Sequence, residues 1–263
     1  MVWSLSQSRA STSRWRRSFR YWMAAVFLAW VACSGTAAFA QAYENTAQKN
    51  VLIEKLVYAD LQSYKDTIDY YCRIFRVNPV TVYAILYVEK MQYELDIFRR
   101  TKKEIERRLS TYGLFSANLA KWAQLSVGYS HIKPLFARET KIRLDRLEQY
   151  REFITRSEIN PGYYMRKPET AIKITVAAIF LFQHQWRSDP NGIDISGRPG
   201  ILATLFCLGY QKSHPHANPK PGGSYLPVII DGELIENRSF GEKVALISFG
   251  SAAMRRFVRQ FMD

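Results

Sequence analysis

The chain has 263 residues, of which 48% are hydrophobic and 14% aromatic, so it can bury the core of one folded domain. Its formal net charge at pH 7 is +14, which suits a polyanionic partner such as cell-wall glycan, a lipid surface or nucleic acid. No DNA- or RNA-binding motif is present, and the basic residues are scattered along the chain instead of forming one strip. Nucleic acid is therefore not an expected partner.

The first 40 residues have the layout of a secretory signal. Five arginines and no acid lie in this segment, so its removal leaves a net charge of 14 − 5 = +9. An uncharged apolar run over 21–32 follows the arginines, and Ala38-Phe39-Ala40 matches an A-x-A cleavage site. We expect cleavage near Ala40 and export to the periplasm, with one domain over 41–263. The alternative is an uncleaved anchor, because the charge-free stretch 21–43 is long enough to span a bilayer.

Apolar spacing predicts that most of the mature chain is helical. The predicted helical segments are 44–76, 78–90, 116–125, 141–156, 168–186, 200–210 and 239–262. The segment 168–186 is apolar around most of its circumference from Ile174 to Phe182, which predicts a central buried helix. Further along, Asp231-Gly232 separates two short runs of strand-forming residues, a pattern typical of a β-hairpin. The predicted fold class is mainly α, with a small β-hairpin near the C-terminus.

The mature chain keeps two cysteines, Cys72 and Cys207. An oxidising compartment permits a disulfide between them. Both also lie in apolar helical patterns, as buried free thiols do, and the sequence leaves the two states open. His214 and His216 form an H-x-H pair without a third ligand at a familiar spacing, so we expect no metal site.

The helix predicted over 78–90 carries the first candidate for catalysis. Asn78 is suited to cap this helix and Pro79 to occupy its first position. Glu89 then falls on the same helical line as the apolar residues Val82, Ile85 and Leu86. Burial disfavours the charged form of a carboxylate and raises its pKa, which suits a general acid. The alternative is that Glu89 lies at the helix end with its carboxylate in water.

Three separated segments resemble, in their order, the lysozyme-like lytic transglycosylases, cell-wall enzymes with a goose-type lysozyme fold. Glu89 falls where that family has its catalytic Glu, at the end of a helix. A second segment, with Ser126, Gly128, Ile132 and Pro134, is similar to the family segment that walls the glycan groove. A third segment, with Phe206, Cys207 and Gly209, is similar to the family motif Ala-Tyr-Asn-x-Gly. The resemblance spans roughly residues 66–245.

The resemblance implies a substrate-binding set beside Glu89. Its members are Ser126, Gly128, Tyr129, His131, Phe206, Cys207 and Gly209. Several positions depart from the family pattern, with Phe for Tyr at 206, Cys for Asn at 207 and His for Gln at 131. Lys90 replaces a small hydroxyl residue and is expected to lower the pKa of Glu89. Tyr87, Tyr129 or Tyr210 is expected to supply the hydroxyl that Phe206 lacks, and the sequence does not say which.

The function implied by the resemblance is cleavage of peptidoglycan by one acid. Glu89 would protonate the glycosidic oxygen, and the 2-acetamido group of the sugar would stabilise the developing positive charge. Glu89 would then act as a base while a 1,6-anhydro ring closes, without a second carboxylate, metal or cofactor. The expected partner is the glycan strand, at the periphery of the membrane. The alternative is a catalytically degenerate protein that binds peptidoglycan or scaffolds an envelope assembly.

Overall fold

The computed structural model describes residues 48–95, 132–160 and 167–250. The predicted signal peptide and stretch 21–43, the predicted helix 116–125, residues 126–131 and the end of the predicted helix 239–262 lie outside these ranges. Within the described ranges, no helix is both long enough and apolar enough to cross a membrane.

The described part is mainly helical with one short antiparallel hairpin, which confirms the predicted fold class. The hairpin strands are β1 (Val228–Ile230) and β2 (Glu233–Ile235). The helices are α1 (48–63), α2 (Lys65–Phe75), α3 (Pro79–Leu95), α4 (Pro134–Leu144), α5 (Pro168–Ser188), α6 (Pro199–Leu208) and α7 (Phe240–Gly250).

Local chemistry sets the boundary between α2 and α3. Arg76 adopts a left-handed conformation with φ of 54°, and the N–H of Val77 reaches back 3.0 Å to the carbonyl oxygen of Cys72. These features end α2 as a Schellman motif does. Asn78 then accepts the N–H of Val80 through its side-chain oxygen at 2.9 Å, and Pro79 occupies the first helical position. The predicted break and the predicted cap are both confirmed.

Helices α3 and α5 form the centre of the core. The side chains of α3 are buried without interruption from Thr81 to Glu89, and α3 packs against α2, α5, α6, α7 and β1. Helix α5 is also buried along most of its length, as its sequence predicts. A helix that is apolar on all sides needs neighbours on all sides, and α3 has them. The residues of α3 are therefore held rigidly by several elements at once.

The predicted surface helix 141–156 is wrong. Helix α4 begins earlier, at Pro134, and ends at Leu144, and a 3-10 turn over Glu148–Tyr150 follows. The carboxylate of Asp145 accepts a hydrogen bond from the ammonium of Lys141 at 2.7 Å and another from the backbone N–H of Glu152 at 3.1 Å. An aspartate that bonds to the backbone in this way offers the chain an alternative to continuing the helix.

The hairpin is confirmed, with its strands and turn where the sequence predicts them. Val228 pairs with Ile235, and Ile230 pairs with Glu233 across the turn. Asp231 and Gly232 both have positive φ, 52° and 85°, as a two-residue turn of type I′ requires.

A carboxylate from α1 fixes this hairpin to the core. Glu54 accepts the N–H of Asp231 at 2.8 Å through Oε1 and the N–H of Gly232 at 2.8 Å through Oε2. The hydroxyl of Tyr87 on α3 lies 2.9 Å from Oε1 of the same carboxylate. We call this arrangement the Glu54 clasp. It joins α1, α3 and the hairpin turn.

Helices α6 and α7 cross with their backbones in close approach. A Cβ atom placed on Gly241 would lie 2.5 Å from the carbonyl oxygen of Gly200, where no side chain fits. The N–H of Gly241 donates to the carbonyl oxygen of Gly222 at 2.8 Å, and the N–H of Gly222 donates to Oγ1 of Thr204 at 2.8 Å. The loop that follows α6 is therefore attached to the crossing point, and α6 is held in place on two sides.

Candidate functional site

Glu89 lies in the interior of the domain, with 9% of its surface exposed. It does not close its helix, because α3 continues past it to Leu95. Two expectations placed Glu89 at the end of a helix: the alternative for the predicted helix 78–90, and the resemblance. Both are therefore wrong. The helix continues because Met91 and Gln92 extend the buried surface and because 90–95 contains no glycine or proline. Glu89 is thus a buried carboxylate inside the central helix.

Lys90 is directed to an acid on another helix. Its Nζ lies 2.9 Å from Oδ2 of Asp60 on α1, with 19% of the Lys90 side chain exposed. Adjacent residues on a helix project in different directions, so Lys90 and Glu89 lie on different faces of α3. The ion pair gives Lys90 a structural role that joins α1 to α3.

Helix α6 brings the third segment of the resemblance beside α3, against which it packs. Phe206 is buried at 7% exposure, and its ring meets that of Phe136 edge to face with centroids 5.4 Å apart. Cys207 is half-buried, with its Sγ 4.0 Å from Oγ of Ser224. Gly209 ends α6 with φ of 77°, a conformation that favours glycine, and its N–H donates to Leu205 at 2.8 Å. The predicted closure of this helix at Gly209 is confirmed.

Cys72 and Cys207 are both free thiols. Cys72 is buried, and that burial raises the pKa of its thiol, with the charge of Asp69 adding to the effect. Of the two states that the sequence leaves open, the structure has the free thiols, although only Cys72 is fully buried.

The second segment of the resemblance is described only at its end. Ser126, Gly128, Tyr129 and His131 lie outside the described residues, so their predicted contacts with substrate stay predictions. Ile132 is buried at 1% exposure, and Pro134 opens α4. Phe136, on the first turn of α4, packs against Phe206 of α6. The second segment therefore leads into α4, and the first turn of α4 contacts α6, the helix that carries the third segment.

Two tyrosines that were expected to supply a hydroxyl are buried and already bonded. The Tyr87 hydroxyl lies 2.9 Å from Glu54 and 3.1 Å from the carbonyl oxygen of Ile229. The Tyr210 hydroxyl lies 3.1 Å from Oγ1 of Thr140. Burial raises the pKa of both phenols, and the nearby charge of Glu54 adds to the effect at Tyr87. Both hydroxyls serve the packing of the core, so the expectation that either replaces the hydroxyl absent at Phe206 is wrong.

Gln92 is a polar residue of this region that sequence analysis missed. It is buried at 6% exposure, one helical turn beyond Glu89 on α3. Its side-chain nitrogen has no hydrogen-bond partner in the described part of the chain. A signal was present in the sequence, because Gln92 continues the line of Ile85 and Glu89 at the spacing i, i+4, i+7.

In the ranges that the structure describes, no three His, Cys, Asp or Glu residues are grouped so as to hold a metal ion. His214 and His216 are exposed, and the ring of His216 meets that of Trp186 at 5.4 Å. His184 is also exposed, at the edge of the ring of Phe180. The described part of the site is therefore a buried carboxylate and a buried amide on α3, the helix against which α6 packs.

Comparisons with models of known protein families, with curated proteins and with solved structures found no match. What the chain does is therefore inferred from its own residues.

Proposed function

We propose that this protein is an exported lytic transglycosylase that cleaves peptidoglycan, with Glu89 as its acid and base. The observation that carries the proposal is the burial of Glu89 at 9% exposure on the central helix, beside α6. A carboxylate is rarely placed in such surroundings for packing alone, because its charged form loses hydration there. Functional sites are where such placements concentrate.

The proposed reaction needs one carboxyl group that changes role. Glu89 first gives its proton to the glycosidic oxygen that leaves N-acetylmuramic acid, while the 2-acetamido oxygen of that sugar attacks the anomeric carbon. The carboxylate then removes the proton of the 6-hydroxyl, whose oxygen displaces the acetamido group and closes the 1,6-anhydro ring. Atoms and charge balance without water, metal or a second acid, and the acetamido group takes the place of a carboxylate nucleophile, as in other substrate-assisted glycosidases.

A second candidate is a protein of the same fold that binds glycan without cleaving it. Three observations favour it: Glu89 lies within its helix instead of at its end, Lys90 forms an ion pair with Asp60, and Phe206 is packed against Phe136. Neither Lys90 nor Phe206 provides the hydroxyl or amide that the family pattern has near its acid. This candidate keeps peptidoglycan as the ligand and removes the chemical step.

The test is digestion of purified peptidoglycan by the purified protein, with the products identified by mass spectrometry. We expect 1,6-anhydro products from the wild type and none from Glu89→Gln, which keeps the shape and removes the titratable group. Glu94→Gln, a half-buried carboxylate on the same helix, is the matched control and should keep activity. Reducing-end products would indicate a hydrolase at this site. Binding to peptidoglycan with no products from any variant would leave the non-cleaving candidate.

A further inference from the structure

We infer that Gln92 is a substrate-positioning residue of the Glu89 site, donating a hydrogen bond from its side-chain amide to an oxygen of a bound N-acetylated glycan. This inference rests on the proposed function and names a contact on α3 that the resemblance does not supply. The acceptor is a hydroxyl or carbonyl oxygen, because a glutamine nitrogen only donates.

The first argument is energetic. The side-chain nitrogen of Gln92 is buried and has no partner among the described residues. A buried donor without a partner destabilises a protein, and native structures contain few of them. Replacing it with an apolar side chain of the same shape would remove that cost. A glutamine at this position therefore needs a reason other than stability.

The second argument is position. Gln92 follows Glu89 at the spacing i, i+3 on α3, so their side chains are neighbours on one face. The rest of that face is apolar, with Ile85 and Val82 preceding Glu89. The unpartnered amide therefore lies next to the one buried carboxylate to which a chemical role has been assigned. Under the proposed function, a glycan bound at Glu89 would therefore lie beside Gln92.

The third argument is contrast with another glutamine. Gln185, on α5, also has a buried oxygen without a partner among the described residues, but its nitrogen lies 3.4 Å from the carbonyl oxygen of Ser213. That amide holds the end of α5 to the segment that follows α6, so it has a structural explanation. The side-chain nitrogen of Gln92 has no such structural hydrogen bond, so a substitution of Gln185 is the control for a substitution of Gln92.

The experiment measures glycan binding and thermal unfolding on the same variants. Binding to purified, insoluble peptidoglycan is titrated in a Glu89→Gln background, so that turnover does not consume the ligand. We expect Gln92→Met to weaken binding about tenfold, as the loss of one good hydrogen bond does, and to leave the melting temperature unchanged or raise it. Gln185→Met should lower the melting temperature slightly and leave binding unchanged.

Each outcome decides the inference. Unchanged binding of Gln92→Met would overturn the inference whatever its melting temperature, while the proposed function stands. A lower melting temperature in that case would show that the amide is structural. A wild type that neither binds nor cleaves peptidoglycan would overturn both proposals. If Gln92→Met does not fold, Gln92→Leu is tested instead, because leucine also lacks the amide donor but has a different shape. If neither variant folds, the amide is needed for stability and the inference is overturned.

Discussion

Replacing Gly241 by alanine is expected to disrupt the crossing of α6 and α7. The added Cβ would lie 2.5 Å from the carbonyl oxygen of Gly200, and that oxygen belongs to a helix backbone that cannot rotate away. The same Cβ would lie 3.1 Å from the backbone nitrogen of Gly222. The two helices must therefore separate, and the loop that is bonded to the crossing must move with them.

The magnitude follows from two costs. Overpacking a tight contact typically costs about 2 kcal/mol. Separation also lengthens the hydrogen bond from Gly241 to Gly222 and that from Gly222 to Thr204, both 2.8 Å, for about 1 kcal/mol each. The sum is about 4 kcal/mol of unfolding free energy, which corresponds to roughly 8–16 °C in melting temperature for a domain of this size.

The assay is thermal unfolding followed by circular dichroism, with Gly197→Ala as the control. No atom lies within 4 Å of the position of a Cβ on Gly197, so alanine there should change stability by less than about 1 kcal/mol. Because α6 and α7 both pack against α3, which carries Glu89 and Gln92, Gly241→Ala should also reduce peptidoglycan binding at temperatures where it remains folded. If Gly241→Ala has the same melting temperature as the Gly197→Ala control, the close approach of the two backbones is refuted.

Two further predictions concern the Glu54 clasp and the buried tyrosines. Glu54→Gln leaves one of the two hairpin N–H groups facing an amide nitrogen, which cannot accept a hydrogen bond. The free energy of unfolding measured by urea denaturation should therefore fall by about 1–3 kcal/mol. Glu148→Gln, at an exposed position, is the control and should not change it. Because burial raises the pKa of Tyr87 and Tyr210 in the folded state, their contribution to stability is complete below about pH 10 and is lost as the pH rises further. Unfolding free energies measured between pH 9 and 11 should therefore fall with pH, and Tyr87→Phe should make the fall shallower; an unchanged slope would contradict the assignment.

The features that the sequence predicted correctly depend on local chemistry. Asn78 caps α3 with its own side chain, Gly209 takes a positive φ that ends α6, and Asp231-Gly232 forms a turn that requires two positive φ angles. Each of these is determined by a few neighbouring residues. Hydrophobic periodicity likewise predicted the buried character of α5, because the position of a residue in the sequence determines the side of the helix on which its side chain lies.

The features that were missed depend on residues far apart in the chain or on competing side chains. The Glu54 clasp joins positions 54, 87 and 231, and no pattern within one segment indicates it. The end of α4 at Leu144 depends on Asp145 bonding to Glu152, which competes with the helix that the apolar spacing predicts. The length of α3 beyond Glu89 depends on neighbours that cover Met91 and Gln92.

The arrangement of α3 and α6 suggests where polar contacts to a glycan would come from. On α6, the positions that the resemblance aligns with Tyr and Asn are Phe206 and Cys207, and the ring of Phe206 packs against that of Phe136. On α3, by contrast, Gln92 keeps a buried donor that the described core does not use. Under the proposed function, hydrogen bonds to the sugar come from α3 and not from Phe206 of α6, since they require groups that are not already bonded within the protein. Phe206→Tyr would then leave peptidoglycan binding nearly unchanged, whereas Gln92→Met weakens it.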